Sequence, residues 1–129
     1  MTINEILNAK DAIAKLNTIK FNDFKIVSRV YKLTKQVNTV IELYQQEVQK
    51  TLKMYAKLDE QGVPVIVNNQ YQFEDVQHRD DFIKEIENVK SSEAEDVDRI
   101  DIKIDSIQFG SDLTSAEMLM LDPVVNWIE

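Results

Sequence analysis

Residues 22–58, NDFKIVSRVYKLTKQVNTVIELYQQEVQKTLKMYAKL, decide the fold, because no glycine or proline interrupts the chain before Gly62. The apolar side chains of this stretch recur at helical spacing and, at about 100° per residue, fall within a sector of roughly 140°. A helix over these residues is about 55 Å long at about 1.5 Å per residue, which exceeds the diameter of a small domain. We therefore expect one of its ends to be covered elsewhere in the assembly. The apolar positions are Val27, Val30, Leu33, Val37, Val40, Ile41, Tyr44, Val48, Leu52 and Tyr55.

A shorter helix is predicted before the long one. Thr2 or Asn4 can cap its first turn, and the turn-forming residues that follow it predict an end near Lys20. Asp23 or Asn22 can then cap the long helix, so that the two helices form an antiparallel hairpin. The first helix is about 24 Å long and covers less than half of the second.

A β-hairpin is predicted over residues 63–73, VPVIVNNQYQF. Asn68 and Asn69 tolerate positive φ and suit a two-residue turn. In that register Ile66 faces Tyr71 and Pro64 faces Phe73, and these side chains are expected to form a buried face.

A third helix is predicted over residues 76–90, with Asp75 as its cap. The polar segment 91–98, SSEAEDVD, is typical of a loop and is the stretch where we expect proteolytic nicking. Residues 99–105 alternate strictly between isoleucine and charged side chains, which predicts a half-buried strand. Ile107 and Phe109 continue the alternation out of phase, so a bulge or turn is expected at Asp105 and Ser106.

The last segment begins with a capping box, because the Thr114 hydroxyl and the Glu117 carboxylate can each accept a hydrogen bond from the other residue's N–H group. A short helix follows and is expected to end at Asp122, before Pro123. With 43% hydrophobic residues, two glycines and two prolines among 129 residues, the chain is expected to form one domain over 1–129. Within it, 1–58 form the helical hairpin and 59–129 carry the β-hairpin, helix, strands and C-terminal helix. The predicted class is α+β and mainly helical: a long antiparallel helical hairpin, a small antiparallel β-sheet from about 63–73 and 98–109, and a short C-terminal helix.

The charge is divided unevenly along the chain. Residues 1–58 carry 10 Lys+Arg and 5 Asp+Glu, a net +5, whereas residues 59–129 carry 5 and 18, a net −13. We favour an arrangement in which the acidic part docks beside the basic stripe of the long helix within one chain. Attraction between subunits, or toward a charged partner, is the alternative. The basic stripe is Lys25, Arg29, Lys32 and Lys35.

Three segments resemble a family of small proteins encoded by tailed phages of Gram-positive bacteria. They are YAKLDEQG at 55–62, YQFED at 71–75, and the following helix with Phe82. Members of that family also begin with a long helical pair. The resemblance implies a phage or prophage source, but it brings no activity and no functional residue.

The inventory of reactive side chains disfavours an enzyme. The chain has no cysteine, and its single histidine, His78, lacks the further nitrogen or sulfur ligands of a metal site. The carboxylates at 93–105 are expected to form a solvated face, and no Gly-rich phosphate loop or nucleophile elbow is present. We therefore expect no catalytic residue, no cofactor and no metal. The basic stripe lacks interleaved aromatics, which disfavours nucleic-acid binding.

The C-terminal segment is too apolar for a free tail. It is expected to cover either the far end of the long helix or a second subunit. No apolar run approaches the roughly 18 residues of a membrane span, and the N-terminus lacks the basic and apolar regions of a signal peptide. The candidate interaction residues are Lys25, Arg29, Lys32, Lys35, Leu52, Tyr55, Leu119, Trp127 and Ile128.

The sequence thus predicts a non-enzymatic phage accessory or structural protein that acts through protein–protein contacts as a homo-oligomer. Its expected location is the host cytoplasm, with virion association left open, and a phage or host protein is the expected further partner. The alternative is an acidic inhibitor of a host defence or nucleic-acid enzyme, in which residues 93–105 imitate DNA phosphates.

Overall fold

The computed structural model describes residues 1–108 and 113–129, and it confirms the α+β, mainly helical class. The chain divides into two compact units: unit 1 is Met1–Ile41 with Glu93–Glu129, and unit 2 is Glu42–Ser92. The second helix begins in unit 1 and ends in unit 2. The elements, in chain order, are α1 (Ile3–Leu16), α2 (Phe24–Tyr55), β1 (Ile66–Val67), β2 (Gln70–Tyr71), α3 (Val76–Ser91), β3 (Ile100–Lys103), a 3₁₀ turn (Ile104–Ser106), α4 (Ser115–Leu121) and β4 (Val125–Ile128).

Helix α1 begins with the predicted Thr2 cap, which forms a full capping box with Glu5. Its predicted end near Lys20 is wrong, because the helix stops at Leu16. Asn17 Nδ2 donates to the Ile13 carbonyl at 2.9 Å, and Thr18 Oγ1 donates to a carbonyl of the last turn. These short polar side chains satisfy the final carbonyls locally and so end the helix early.

Helix α2 starts as predicted, with an Asp23 carboxylate oxygen accepting from the Lys25 N–H at 2.9 Å. It ends at Tyr55 rather than at Leu58. Beyond the helix, the Lys57 N–H donates to the Gln72 carbonyl at 2.8 Å, and the Lys57 carbonyl accepts from Val65. Hydrogen bonds to the hairpin therefore replace the last helical turn.

The core of unit 1 joins α1 and the first part of α2 to β3, β4 and α4. The alternation predicted for β3 is confirmed, with Ile100 and Ile102 buried, and the expected turn follows it as the 3₁₀ turn. The segment predicted as an open loop is held instead, because Ala94 and Val97 are buried among these residues. The buried side chains are Ile6, Ala9, Ala12, Ile13, Leu16, Ile19, Ile26, Val30, Leu33, Val37, Val40, Ile41, Ala94, Val97, Ile100, Ile102, Leu121, Val124 and Val125.

The predicted partner of β3 is wrong. β3 pairs in parallel with β4, with Ile100 opposite Val125 and Ile102 opposite Trp127, rather than joining the antiparallel hairpin sheet. The apolar C-terminus is therefore a strand, and its pairing buries Val125 completely. A parallel pair needs a long crossover, here supplied by α4, and such a distant pairing leaves no local sequence signal. Phe109, to which the strand was expected to extend, lies outside the described residues.

The hairpin turn in unit 2 is confirmed. Asn68 and Asn69 have φ of 53° and 62°, and Ile66 pairs with Tyr71 as predicted. The predicted buried face is wrong, since both paired side chains are exposed. Pro64 and Phe73 do not face each other; they form bridges with Leu58 and Ala56, the residues that follow α2.

Asn69→Gly is expected to leave stability unchanged or raise it, and Asn69→Val is expected to cost about 1 kcal/mol or more. The reason is the left-handed backbone at this position, which glycine adopts freely and a β-branched side chain resists. Thermal melts of both variants check this. Equal melting temperatures would contradict the turn.

Candidate interaction surface

The four predicted basic side chains lie together on the exposed side of α2 in unit 1. The Arg29 guanidinium donates to the Asp101 backbone carbonyl at 3.1 Å. The Lys35 ammonium lies 5.4 Å from the centre of the Tyr31 ring, in cation–π geometry. Lys25 and Lys32 complete the stripe.

The favoured pairing of this stripe with the acidic segment is not present among the described residues. Within that part of the chain, no carboxylate oxygen lies within 4.0 Å of the four basic side chains. Glu93 instead binds the N-terminal ammonium of Met1 at 3.0 Å. Asp98 accepts from Gln36, a neutral side chain. The basic stripe therefore keeps its charge available to solvent or to a partner.

Large apolar side chains share this exposed side of α2, and sequence reasoning missed them. Phe24 is 81% exposed and Tyr31 is 60% exposed. Val27, which was assigned to the buried sector, is also exposed. At about 100° per residue, Phe24 and Tyr31 lie opposite the buried sector and seven residues apart. That spacing was the available signal. We call Phe24, Ser28, Tyr31 and Lys35, with the flanking Lys25 and Lys32, the aromatic–basic face.

The other candidates do not form one site. Leu52 is 0% exposed and therefore offers no surface to a partner, and Tyr55 is half-buried at the end of α2. Trp127 is half-buried, and its Nε1 donates to the Met118 carbonyl at 3.2 Å. Ile128 is half-buried in the ladder with β3, whereas Leu119 on α4 is 70% exposed. Only Leu119 of these five presents a free apolar side chain.

Unit 2 exposes more large apolar side chains than it buries. Its buried apolar residues are Leu52, Ala56 and Ile86, and Phe73 packs on Phe82 with ring centres 5.5 Å apart. Monomeric proteins seldom leave so much large apolar surface uncovered in so small a unit. Its exposed large apolar residues are Leu43, Met54, Leu58, Val63, Ile66, Val67, Tyr71, Val76 and Ile83.

His78 belongs to the cap of α3. Its Nδ1 lies 2.7 Å from an Asp75 carboxylate oxygen that also accepts the His78 backbone N–H. The hydrogen bond to Asp75 raises the pKa of His78, and the same contacts lower the pKa of Asp75. In residues 1–108 and 113–129, no cluster of three His, Asp or Glu side chains is arranged to hold a metal ion.

No family model, curated protein or solved structure matches this chain. Across the described residues, none of the helices has the length and apolar character needed to cross a membrane. The functional argument therefore rests on the exposed surfaces of α2 and unit 2.

An ion pair ties α1 to α4 within unit 1. Lys15 Nζ lies 2.8 Å from a Glu117 carboxylate oxygen that also accepts the Thr114 N–H. The Lys15 contact, followed by the Thr114 hydrogen bond, lowers the pKa of Glu117 from 4.5 to about 2. Since the folded pKa lies below the unfolded one, this stabilisation is present above about pH 4.5 and is lost as the pH falls toward 2.

Glu117→Gln is therefore expected to remove part of the acid sensitivity of unfolding between about pH 4.5 and pH 2. Glutamine keeps the capping-box hydrogen bonds, so the variant isolates the charge. Urea midpoints at pH 6 and pH 3 measure the difference, and Glu95→Gln, at an exposed carboxylate, is the control. A Glu117→Gln variant as acid-sensitive as the native chain would contradict the assignment.

Proposed function

We propose that this chain is a non-enzymatic protein-interaction module that self-associates and acts through contacts with other protein chains. Its resemblance to the small proteins of tailed phages supports a phage or prophage source, and hence action in a bacterial host. The carrying observation is the surface of unit 2, which exposes nine large apolar side chains and buries three apolar ones.

The magnitudes favour burial of this surface against another chain. Covering one exposed leucine- or isoleucine-sized side chain contributes about 1.5–3 kcal/mol. Several such side chains together exceed the lower estimates for the entropy lost on association, about 4 kcal/mol. By comparison, the core of unit 1 already encloses nineteen apolar side chains, so unit 2 has the greater need of a partner.

Self-association is tested by light scattering across a concentration series up to high micromolar. We expect a mass above the 15.0 kDa of one chain, rising with concentration. A constant monomer mass would overturn self-association. Fluorescence of a dye that binds apolar surface gives a second readout, because it should fall as the chains associate.

A second candidate, an acidic inhibitor of a host nucleic-acid enzyme, is favoured by the exposure of the carboxylates in residues 93–105. Glu95, Asp96, Asp98, Asp101 and Asp105 are all exposed, and among the described residues none of them forms an ion pair. If they imitate DNA phosphates, the chain should compete with duplex DNA for a restriction nuclease. Replacing these five residues by Asn and Gln should then abolish the competition. Undiminished competition by that variant would reject this candidate.

A further inference from the structure

We propose that the aromatic–basic face of α2 docks in parallel on α3 of a second copy of the chain. The proposal rests on the self-association proposed above and specifies its surface. The contact joins two different faces, so each copy offers one donor face and one acceptor face.

On α3, an exposed line matches the α2 face in spacing. Val76 and Ile83 are 65% and 47% exposed and stand seven residues apart, as Phe24 and Tyr31 do on α2. Two helical turns separate each pair, about 10.5 Å along either axis. The buried side of α3 is elsewhere, at Ile86.

The polar side chains between these apolar pairs are complementary. Asp80 and Glu87 are exposed on the α3 line, and their ion pairs within the chain are long, 3.9 Å to Arg79 and 4.0 Å to Lys90. Such exposed pairs are weak and leave the carboxylates able to change partners. On the α2 face, the corresponding positions are Ser28 and Lys35.

A parallel alignment with a constant offset of 52 residue numbers satisfies all four positions together. It places Phe24 against Val76, Ser28 against Asp80, Tyr31 against Ile83, and Lys35 against Glu87. This is the a/d pattern of a parallel coiled coil, in which matched polar positions fix the register.

The antiparallel alignment of the same two faces fails. It sets Phe24 against Glu87 and Lys35 against Val76, so that apolar side chains meet charged ones. In the parallel alignment, Lys25 and Lys32 lie on the same flank as Lys84 of the second copy. These flanking cations remain in solvent, where like-charge repulsion is screened by salt.

A second copy fits the α2 face better than a nucleic acid does. The chain carries a net charge of −8, which opposes approach to a polyanion. The face also needs a partner with two apolar side chains at the matching spacing, and a phosphate backbone has none.

The test uses two variants whose substituted side chains are all exposed. Phe24→Ser with Tyr31→Ser removes the α2 face, and Val76→Ser with Ile83→Ser removes the α3 line. Each variant alone should sediment as a 15.0 kDa monomer with native circular dichroism. An equimolar mixture should form a complex of one copy of each, because each retains the face that the other lacks. Leu43→Ser with Met54→Ser, exposed elsewhere on α2, is the matched control and should keep the native mass.

A charge exchange tests the register. Lys35→Glu should weaken association about tenfold or more, and adding Glu87→Lys in the same chain should restore it. A native oligomer that neither serine variant dissociates would overturn this interface and leave self-association standing, whereas a monomeric native chain would overturn both. Failure of the mixture to associate would also overturn the interface. Binding of a fluorescent DNA duplex that the Phe24→Ser, Tyr31→Ser variant alone loses, at unchanged mass, would assign the face to nucleic acid instead.

Discussion

Leu33→Ala is expected to lower the free energy of unfolding by about 2–5 kcal/mol. Leu33 is fully buried on α2, and the surrounding core includes residues of α1, β3 and β4. Truncation removes apolar contacts from several elements at once and leaves a cavity that a close-packed interior fills only partly. Since single domains are stable by about 5–15 kcal/mol, this one change should remove a large share of the stability.

The matched control is Leu43→Ala, made on the same helix. Leu43 is exposed, so its truncation should change stability by less than about 0.5 kcal/mol. Both substitutions leave an equally good helix former, so helix propensity does not separate them. Urea unfolding followed by circular dichroism measures the two differences. Comparable losses for the two variants would show that α2 does not bury the side predicted from its periodicity.

Local chemistry made several elements predictable. The capping boxes at Thr2 and Thr114 each need two side chains three residues apart, and the turn at Asn68 and Asn69 needs two residues that accept positive φ. These signals lie within four residues of sequence, so the sequence contains the whole interaction. The strand at β3 was likewise visible, because alternation records burial on one side.

Distant pairings were not predictable in the same way. β3 and β4 are joined by backbone hydrogen bonds between residues about 25 positions apart, and neither strand specifies its partner by side-chain type. The ends of α1 and α2 were misplaced for a related reason. Competing hydrogen bonds, from Asn17 in one case and from the hairpin in the other, ended each helix before its propensity did.

The candidate surface was half predictable. The four basic residues could be found from charge, and they lie together as expected. Phe24 and Tyr31 were missed because apolar residues were sought only in the buried sector. Leu52 was included because an apolar side chain at the far end of a long helix resembles a free one, and only the packing of unit 2 shows that it is buried.

Reversing Lys25, Arg29, Lys32 and Lys35 to glutamate is expected to abolish self-association while leaving the chain folded. The variant loses the Lys35 contact proposed for the second copy and places acidic side chains opposite Asp80 and Glu87. Within the chain, the losses are small. They are the Arg29 hydrogen bond, about 0.5–1.5 kcal/mol, and the contact of Lys35 with Tyr31, about 0.5–1 kcal/mol. A glutamate at position 25, in the first turn of α2, returns about 0.3–1 kcal/mol through the helix dipole.

The favoured sequence interpretation, internal pairing of the basic stripe with the acidic segment, predicts a different result. Under internal pairing, the reversal should lower the melting temperature strongly at low salt and much less at high salt, because exposed charge pairs are screened. Melting temperature and mass are therefore measured together at both salt concentrations. The control reverses Lys10, Lys50, Lys53 and Lys57, which gives the same net charge from other positions. Loss of mass in the first variant alone, at a nearly unchanged melting temperature, assigns the stripe to a partner. A native mass with a salt-dependent drop in melting temperature would assign it to the chain itself.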